Sequence, residues 1–117
     1  MNQAEQNLRI DYVEFPAVDL AAAERFYSEV FGWHFKQQNP DYVSFNDGRV
    51  RGGFFKSAQV RSGGPVVVMY AADLDETRAK IIVHGGSICR QTFTFPGGRR
   101  FHFNDPAGNV LGVWSDK

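Results

Sequence analysis

The sequence contains one cysteine, Cys89, in 117 residues, so an intrachain disulfide and a cysteine-rich zinc site are both excluded. It has no surplus of either charge, because 13 Lys and Arg side chains balance 13 Asp and Glu side chains. Nucleic-acid-binding domains usually carry a basic surplus, so we expect no nucleic-acid partner. No apolar run approaches the roughly 20 residues that span a membrane, and the polar segment Met1 to Asn7 has no signal-peptide core. We therefore expect a cytoplasmic protein without a membrane partner.

The sequence is rich in residues that form a hydrophobic core. Apolar residues make up 43% of the chain and aromatic residues 15%, with eleven phenylalanines. A chain of this length and composition can bury a sizeable core as one domain without covalent cross-links. We therefore predict a single folded domain over residues 1–117.

The two halves of the chain repeat a set of short patterns in the same order. Asp19-Leu20 recurs as Asp73-Leu74, and Gly32 recurs as Gly86, both at an offset of 54 residues. The later matches are Phe45-Asn46-Asp47 with Phe103-Asn104-Asp105, and Val50-Arg51-Gly52 with Val110-Leu111-Gly112. A repeat of this length is typical of a duplicated structural unit. It predicts module one over residues 8–58 and module two over residues 63–115.

Each module is predicted to have the element order βαβββ, which makes the fold class α+β. Asp19 and Asp73 are good helix N-caps, because a short carboxylate accepts hydrogen bonds from amides of the first turn. Gly32 and Gly85 suit the left-handed position that ends a helix. The predicted strands are 9–16, 33–37, 41–45 and 50–56 in module one, and 65–71, 87–94, 99–104 and 109–114 in module two.

Three segments of the chain carry a family resemblance. They are Val18 to Tyr27, Val30-Phe31-Gly32-Trp33 and the turn Asp105-Pro106-Ala107-Gly108-Asn109. In this order and within a duplication, they resemble the vicinal oxygen chelate superfamily, which includes glyoxalase I, bleomycin-resistance proteins and extradiol dioxygenases. The resemblance covers about residues 8–115. It implies that the two modules form a curved mixed sheet, with the helices on the convex side and a ligand cavity on the concave side.

The resemblance also indicates where metal-using relatives hold their ion, at one position in the first and last strand of each module. By the repeat, these positions are Tyr12, Gly52, Val66 and Gly112. The valine and the two glycines offer no side-chain ligand, and Tyr12 could ligate only as a phenolate. We therefore expect neither a metal ion nor another cofactor.

Polar candidates for a ligand site follow from strand periodicity. Tyr12 and Glu14 are two residues apart and share one face of a strand. They could anchor a ligand or move a proton, or Glu14 could instead be a carboxylate paired with an arginine at a cavity rim or dimer contact. His102 lies between two phenylalanines and faces away from both, so it could line the cavity or lie beneath a helix.

Aromatic and basic candidates also follow from periodicity. Phe54, Tyr70 and Trp114 share parity with the expected metal positions, so they should point into the cavity and stack on a flat ligand. They could instead fill the cavity or a dimer interface. The arginines that could hold an anion, or merely form a solvated hairpin edge, are Arg49, Arg51, Arg90, Arg99 and Arg100.

These observations favour a metal-free protein that binds a small aromatic or amphipathic molecule and forms a homodimer. One alternative is a lyase or isomerase of the glyoxalase type that uses Glu14 or Tyr12. Another is a structural dimer with no ligand.

Overall fold

The computed structural model describes residues 3–8, 10–61 and 63–117 and confirms the predicted order of elements. Arg9, at the start of the predicted first strand, lies outside the described residues. A short 3-10 helix, Gln3–Gln6, precedes module one. The elements of module one are β1 (Tyr12–Ala17), α1 (Leu20–Phe31), β2 (His34–Asn39), β3 (Tyr42–Asn46) and β4 (Arg51–Lys56). Those of module two are β5 (Val67–Tyr70), α2 (Leu74–Val83), β6 (Ser87–Phe95), β7 (Gly98–Asn104) and β8 (Val110–Ser115).

Both helices begin at the predicted aspartates. Asp19 Oδ1 accepts a 3.1 Å hydrogen bond from the backbone nitrogen of Ala22, and Asp73 Oδ1 accepts one of 3.0 Å from that of Glu76. Helix α1 ends at Gly32, whose φ of 73° lies in the left-handed region that favours glycine. Among the described residues, no helix combines the length and the apolar character needed to cross a membrane.

The strands form two four-stranded sheets, one in each module. The strand orders are β1-β4-β3-β2 and β5-β8-β7-β6. In each sheet the first and last strands of the module pair in parallel, and the other pairs are antiparallel. Both sheets are therefore mixed, and the α+β fold of two βαβββ modules is confirmed.

One hydrophobic core continues across both modules on the helix side of the sheets. Within module one, the rings of Phe15 and Phe54 stack with centroids 5.3 Å apart, and those of Trp33 and Phe45 with centroids 4.5 Å apart. Helix α1 also reaches module two, because Phe26 lies 6.1 Å from the Phe103 ring. We call the opposite, helix-free side of each sheet its open face.

The placement of Phe54 corrects one prediction. Its side chain is 0% exposed and belongs to the core, so it does not point to the open face. The sheet register pairs Glu14 with Gly53 in module one and Val68 with Gly112 in module two. Gly53, not Gly52, is therefore the structural counterpart of Gly112.

The correction has a simple geometric cause. Asn46 pairs with Arg51 across one hairpin, whereas Asn104 pairs with Val110 across the other, so the second connection is one residue longer. The repeat of Val50 at Val110 is therefore out of register by one residue. Side chains alternate between the two faces of a strand, so this single residue reverses the face assigned to Phe54.

Candidate functional site

Three side chains of module one form a hydrogen-bonded cluster on its open face. The Tyr42 hydroxyl donates a 2.9 Å hydrogen bond to Glu14 Oε2, and the Tyr12 and Tyr42 hydroxyls are also hydrogen-bonded to each other. Tyr12 and Glu14 thus share one face, as strand periodicity predicted. The partner of Glu14 is a tyrosine rather than the arginine considered from the sequence.

Tyr42 was missed by sequence reasoning, although a glycine marks its position. A Cβ atom at Gly53 would overlap the hydroxyl and ring of Tyr42, which crosses the sheet at that point. Glycine therefore opens the space through which Tyr42 reaches Glu14. Gly52 and Gly53 are consecutive in β4 and therefore face opposite sides of the sheet, so one of them had to lie on the open face.

The surroundings of Tyr42 in this tyrosine cluster of Tyr12, Glu14 and Tyr42 shift its pKa. Partial burial, together with hydrogen bonds to Tyr12 and Glu14 and the nearby charge, holds the pKa of Tyr42 well above its ordinary value. Tyr42 therefore stays a neutral hydroxyl at physiological pH and donates a hydrogen bond to Glu14. The arrangement can orient the Glu14 carboxylate toward a ligand.

The positions that would hold the metal of metal-using relatives do not suit an ion here. Gly53 and Gly112 have no side chain, and Tyr42 occupies the space above Gly53. A Cβ at Gly112 would lie 3.1 Å from His102 Cδ2 and 3.3 Å from Val68 Cγ2, so that space is also taken. Among residues 3–8, 10–61 and 63–117, no three His, Cys, Asp or Glu side chains form a group able to hold a metal ion.

An aromatic pair lies on the open face of module two. Tyr70 and Trp114 are register partners, and their rings meet edge to face with centroids 5.1 Å apart. Tyr70 is 52% exposed, and its hydroxyl donates a 2.7 Å hydrogen bond to Asp116 Oδ1. The ring of Phe95 lies 6.2 Å from that of Trp114. Tyr70 and Trp114 thus stand together on the open face, as predicted, whereas Phe54 does not.

His102 lies on the same open face and contacts Arg100. Arg100 Nε donates a 3.2 Å hydrogen bond to His102 Nε2, and Arg100 Nη2 lies 2.8 Å from the same nitrogen. Burial, followed by the charges of Arg100 and Arg90, lowers the pKa of His102 below its ordinary value. His102 is therefore neutral at physiological pH, with Nε2 as an acceptor.

A cleft lies between residues of the two modules. It has a volume of about 480 Å³, and its walls include Glu14 of β1 and Val66, which directly precedes β5. Arg61 also lines it, from the connection between the modules. Glu14 therefore belongs both to the tyrosine cluster and to the boundary between the two modules.

The fold and the site positions together define a class of protein with duplicated βαβββ modules. The model of the Glyoxalase/Bleomycin resistance protein/Dioxygenase superfamily matches residues 9–113 of this chain. The chain belongs to this family, which confirms the resemblance noted from the sequence. No curated protein matches the sequence.

Solved structures of the same architecture have low sequence identity to this chain. A glyoxalase/bleomycin resistance protein/dioxygenase family enzyme from Burkholderia phytofirmans PsJN superposes with a TM-score of 0.81 at 16% identity, covering 92% of this chain and 100% of that one. For lactoylglutathione lyase from Agrobacterium tumefaciens the TM-score is 0.69 at 25% identity, covering 92% and 93%. The fosfomycin resistance protein FosX from Listeria monocytogenes gives a TM-score of 0.78 at 13% identity, covering 91% of each chain.

Proposed function

We propose that this protein is a small-molecule-binding member of its family that holds an aromatic or amphipathic ligand without a metal ion. The observation that carries the proposal is the Tyr70–Trp114 pair on the helix-free face of module two. Adjacent aromatic rings that are open to solvent are a usual platform for a flat ligand, and polar groups beside them fix its orientation. The ligand would lie on this pair, with His102 beside it.

The polar contacts of the ligand would come from both modules. Tyr12 and Glu14 are its proposed anchors in module one, because both are exposed on the open face and Tyr42 fixes them by hydrogen bonds. The absence of side-chain donors at Gly53, Val66 and Gly112 argues for binding without a metal. We place the protein in the cytoplasm, where it would sequester or sense its ligand.

A screen of planar compounds tests the proposal. The panel should contain neutral, cationic and anionic members, and binding should quench tryptophan fluorescence and raise the melting temperature. Trp114→Ala should weaken binding about tenfold or more, in line with the loss of a central aromatic contact. Val83→Ala, at a 78% exposed position on α2, is a control that should bind normally. A structural role without ligand would be supported if no compound in the panel binds.

We also propose that the protein forms a homodimer. Exposed apolar side chains remain on the open faces, including Tyr12, Phe55, Val66 and Tyr70. A symmetric two-fold contact would cover part of this surface and complete the wall of each ligand site. Sedimentation velocity at micromolar concentration should show a species of twice 13.2 kDa. Detection of the monomer alone would contradict the dimer.

The tyrosine cluster favours a second candidate function, a metal-independent lyase or isomerase. A carboxylate that is oriented by a neutral phenol can accept a proton from a carbon acid and return it to another position. In this reaction Glu14 would be the base, while Tyr12 and Tyr42 would hold its carboxylate and a substrate oxygen in place. The exposed position of Glu14 leaves room for such a substrate.

Proton exchange distinguishes the enzyme from the binding protein. Small α-hydroxyaldehydes and ketones incubated with the protein in D₂O should lose their α-proton signal in NMR spectra if Glu14 acts as a base. Glu14→Gln should abolish the exchange, and Glu24→Gln on α1 should leave it unchanged. Exchange that persists in Glu14→Gln would overturn this candidate.

A further inference from the structure

The open face of module two carries two arginines that are brought together by the sheet register. Arg90 of β6 is paired with His102 of β7, and Phe93 of β6 is paired with Arg100 of β7. The pairing between β6 and β7 shifts twice, once before and once after Arg90. These bulges place both Arg90 and Phe93 on the face that carries His102.

The Phe93 ring and His102 hold the two guanidinium groups in place. Arg90 Cζ lies 3.8 Å from the centroid of the Phe93 ring, and Arg100 Cζ lies 5.6 Å from it. Both distances fall within the range of cation–π contacts. Arg100 also donates to the neutral His102. The guanidinium groups are thus positioned by neutral partners.

Neither arginine has an acidic partner in the described part of the chain. The ion pairs there include Arg51 with Asp11 at 3.7 Å and Arg99 with Asp75 at 3.6 Å, but none that uses Arg90 or Arg100. Natural surfaces usually balance neighbouring cations with carboxylates, because like charges that are close together repel each other. Two positive charges on the face of the proposed ligand site therefore remain available to an anion.

The aromatic pair lies directly beside these charges. Across the sheet, Arg100 is paired with Trp114, and Trp114 is paired with Tyr70, so the three side chains follow one row. Side chains in such a row have Cβ atoms about 5 Å apart. A carboxylate bound at Arg100 would therefore place an attached ring over Trp114 and Tyr70.

We propose that the open face of module two binds an aromatic carboxylate, with its anionic group on Arg90 and Arg100 and its ring on Trp114 and Tyr70. This inference rests on the proposed binding function and names the chemical class of the ligand. A guanidinium presents paired N–H groups that match the two oxygens of a carboxylate. The neighbouring rings favour an aromatic acid over a small inorganic anion, which would leave Trp114 and Tyr70 unused.

Isothermal titration with 2-naphthoate and its neutral amide, 2-naphthamide, tests the inference on the full chain. The acid should bind about tenfold or more tightly than the amide at low salt, as expected for charge-assisted hydrogen bonds. High salt should weaken binding of the acid but not of the amide. Arg90→Gln and Arg100→Gln should each remove most of the preference for the acid. Arg99→Gln is the matched control. Because Arg99 is already paired with Asp75, this substitution should leave the preference for the acid unchanged.

The outcomes separate this inference from the proposed function. Equal binding of acid and amide, with both lost in Trp114→Ala, would overturn the carboxylate site and keep the aromatic platform. If neither probe binds while neutral or cationic compounds of the wider panel do, the carboxylate site is likewise overturned and the aromatic platform is kept. Arg90 is exposed, so its variant should fold normally even if Arg100→Gln does not. An acid preference that survives in a folded Arg90→Gln protein would contradict the role of Arg90 in this site.

Discussion

The hydroxyl of Tyr27 in α1 donates a 2.8 Å hydrogen bond to Oδ2 of Asp105, in the turn between β7 and β8. Both residues are buried, with 0% and 4% of their surfaces exposed. Asp105 also accepts hydrogen bonds from the backbone of Ala107 and from Asn109, whose side chain donates to the carbonyl of Pro16 at 2.8 Å. This network joins module one to module two and gives the Asp-Pro-x-Gly-Asn turn a structural role.

Tyr27→Phe should reduce the free energy of unfolding by about 1.5–3 kcal/mol, because it removes a buried hydrogen bond to a carboxylate. Urea denaturation followed by circular dichroism measures the change. Tyr70→Phe is the control, since it removes a hydroxyl that donates to a carboxylate at the surface. Tyr70→Phe should reduce the free energy of unfolding much less than Tyr27→Phe does. Equal reductions by the two substitutions would contradict the importance of the Tyr27–Asp105 contact.

Alanine substitutions at Gly52 and Gly53 should reduce the free energy of unfolding by different amounts. A Cβ at Gly52 would overlap the backbone carbonyl of Val13 and the ring of Phe45, whereas at Gly53 it would overlap only the movable side chain of Tyr42. Overpacking typically costs 1–3 kcal/mol, so we expect about 3 kcal/mol for Gly52→Ala and about 1 kcal/mol for Gly53→Ala. In a Tyr42→Ala background, Gly53→Ala should cost less still. A larger cost at Gly53 than at Gly52 would reverse the assignment of the two faces.

The lowered pKa of His102 predicts a pH dependence of stability. The folded protein binds a proton at His102 less readily than the unfolded chain does, so stability falls as the pH drops below about 6.5, the ordinary value. Relative to His102→Gln, the wild-type free energy of unfolding should therefore decrease between pH 7.5 and pH 5. Arg100→Gln removes one cause of the shift and should raise the pKa of His102 in an NMR titration. A wild-type advantage that grows at low pH would contradict this prediction.

The positions that correspond to the metal ligands of metal-using relatives carry Tyr12, Gly53, Val66 and Gly112. Because three of them have no donor side chain, we predict that divalent ions do not bind there. Protein purified without chelator should contain no stoichiometric metal, and added nickel, zinc, manganese or iron should not raise the melting temperature. Stoichiometric metal with a melting shift that disappears in Tyr12→Phe or Glu14→Gln would overturn the prediction. That result would favour the enzyme over the binding protein.

Local signals predicted the elements of this fold well, because each was set by neighbouring residues. Asp19 and Asp73 begin the helices as expected, since N-capping depends on the side chain at one position and the amides that follow it. The duplication predicted the order of the strands. The face occupied by Phe54 could not be predicted in this way, because it depends on the exact length of one hairpin.

The composition of the candidate site was predictable only in part. Tyr12 and Glu14 share a face because they belong to one strand, and a two-residue period is reliable over that distance. Tyr42 joins them from another strand, across a contact that depends on Gly53. The position of Arg90 depends on bulges in β6, which no pattern in the sequence marks.

The two tryptophans provide the most direct test of ligand binding on the open face of module two. Trp33 is 7% exposed and is stacked in the core on Tyr27 and Phe45, whereas Trp114 lies on the open face beside Tyr70. Their indole N–H groups give two separate signals in a ¹H–¹⁵N spectrum, which Trp114→Phe assigns. Titration with the tightest-binding planar compound of the panel should move the Trp114 signal and leave that of Trp33 in place. A Trp114 signal that does not move at saturation would contradict the account.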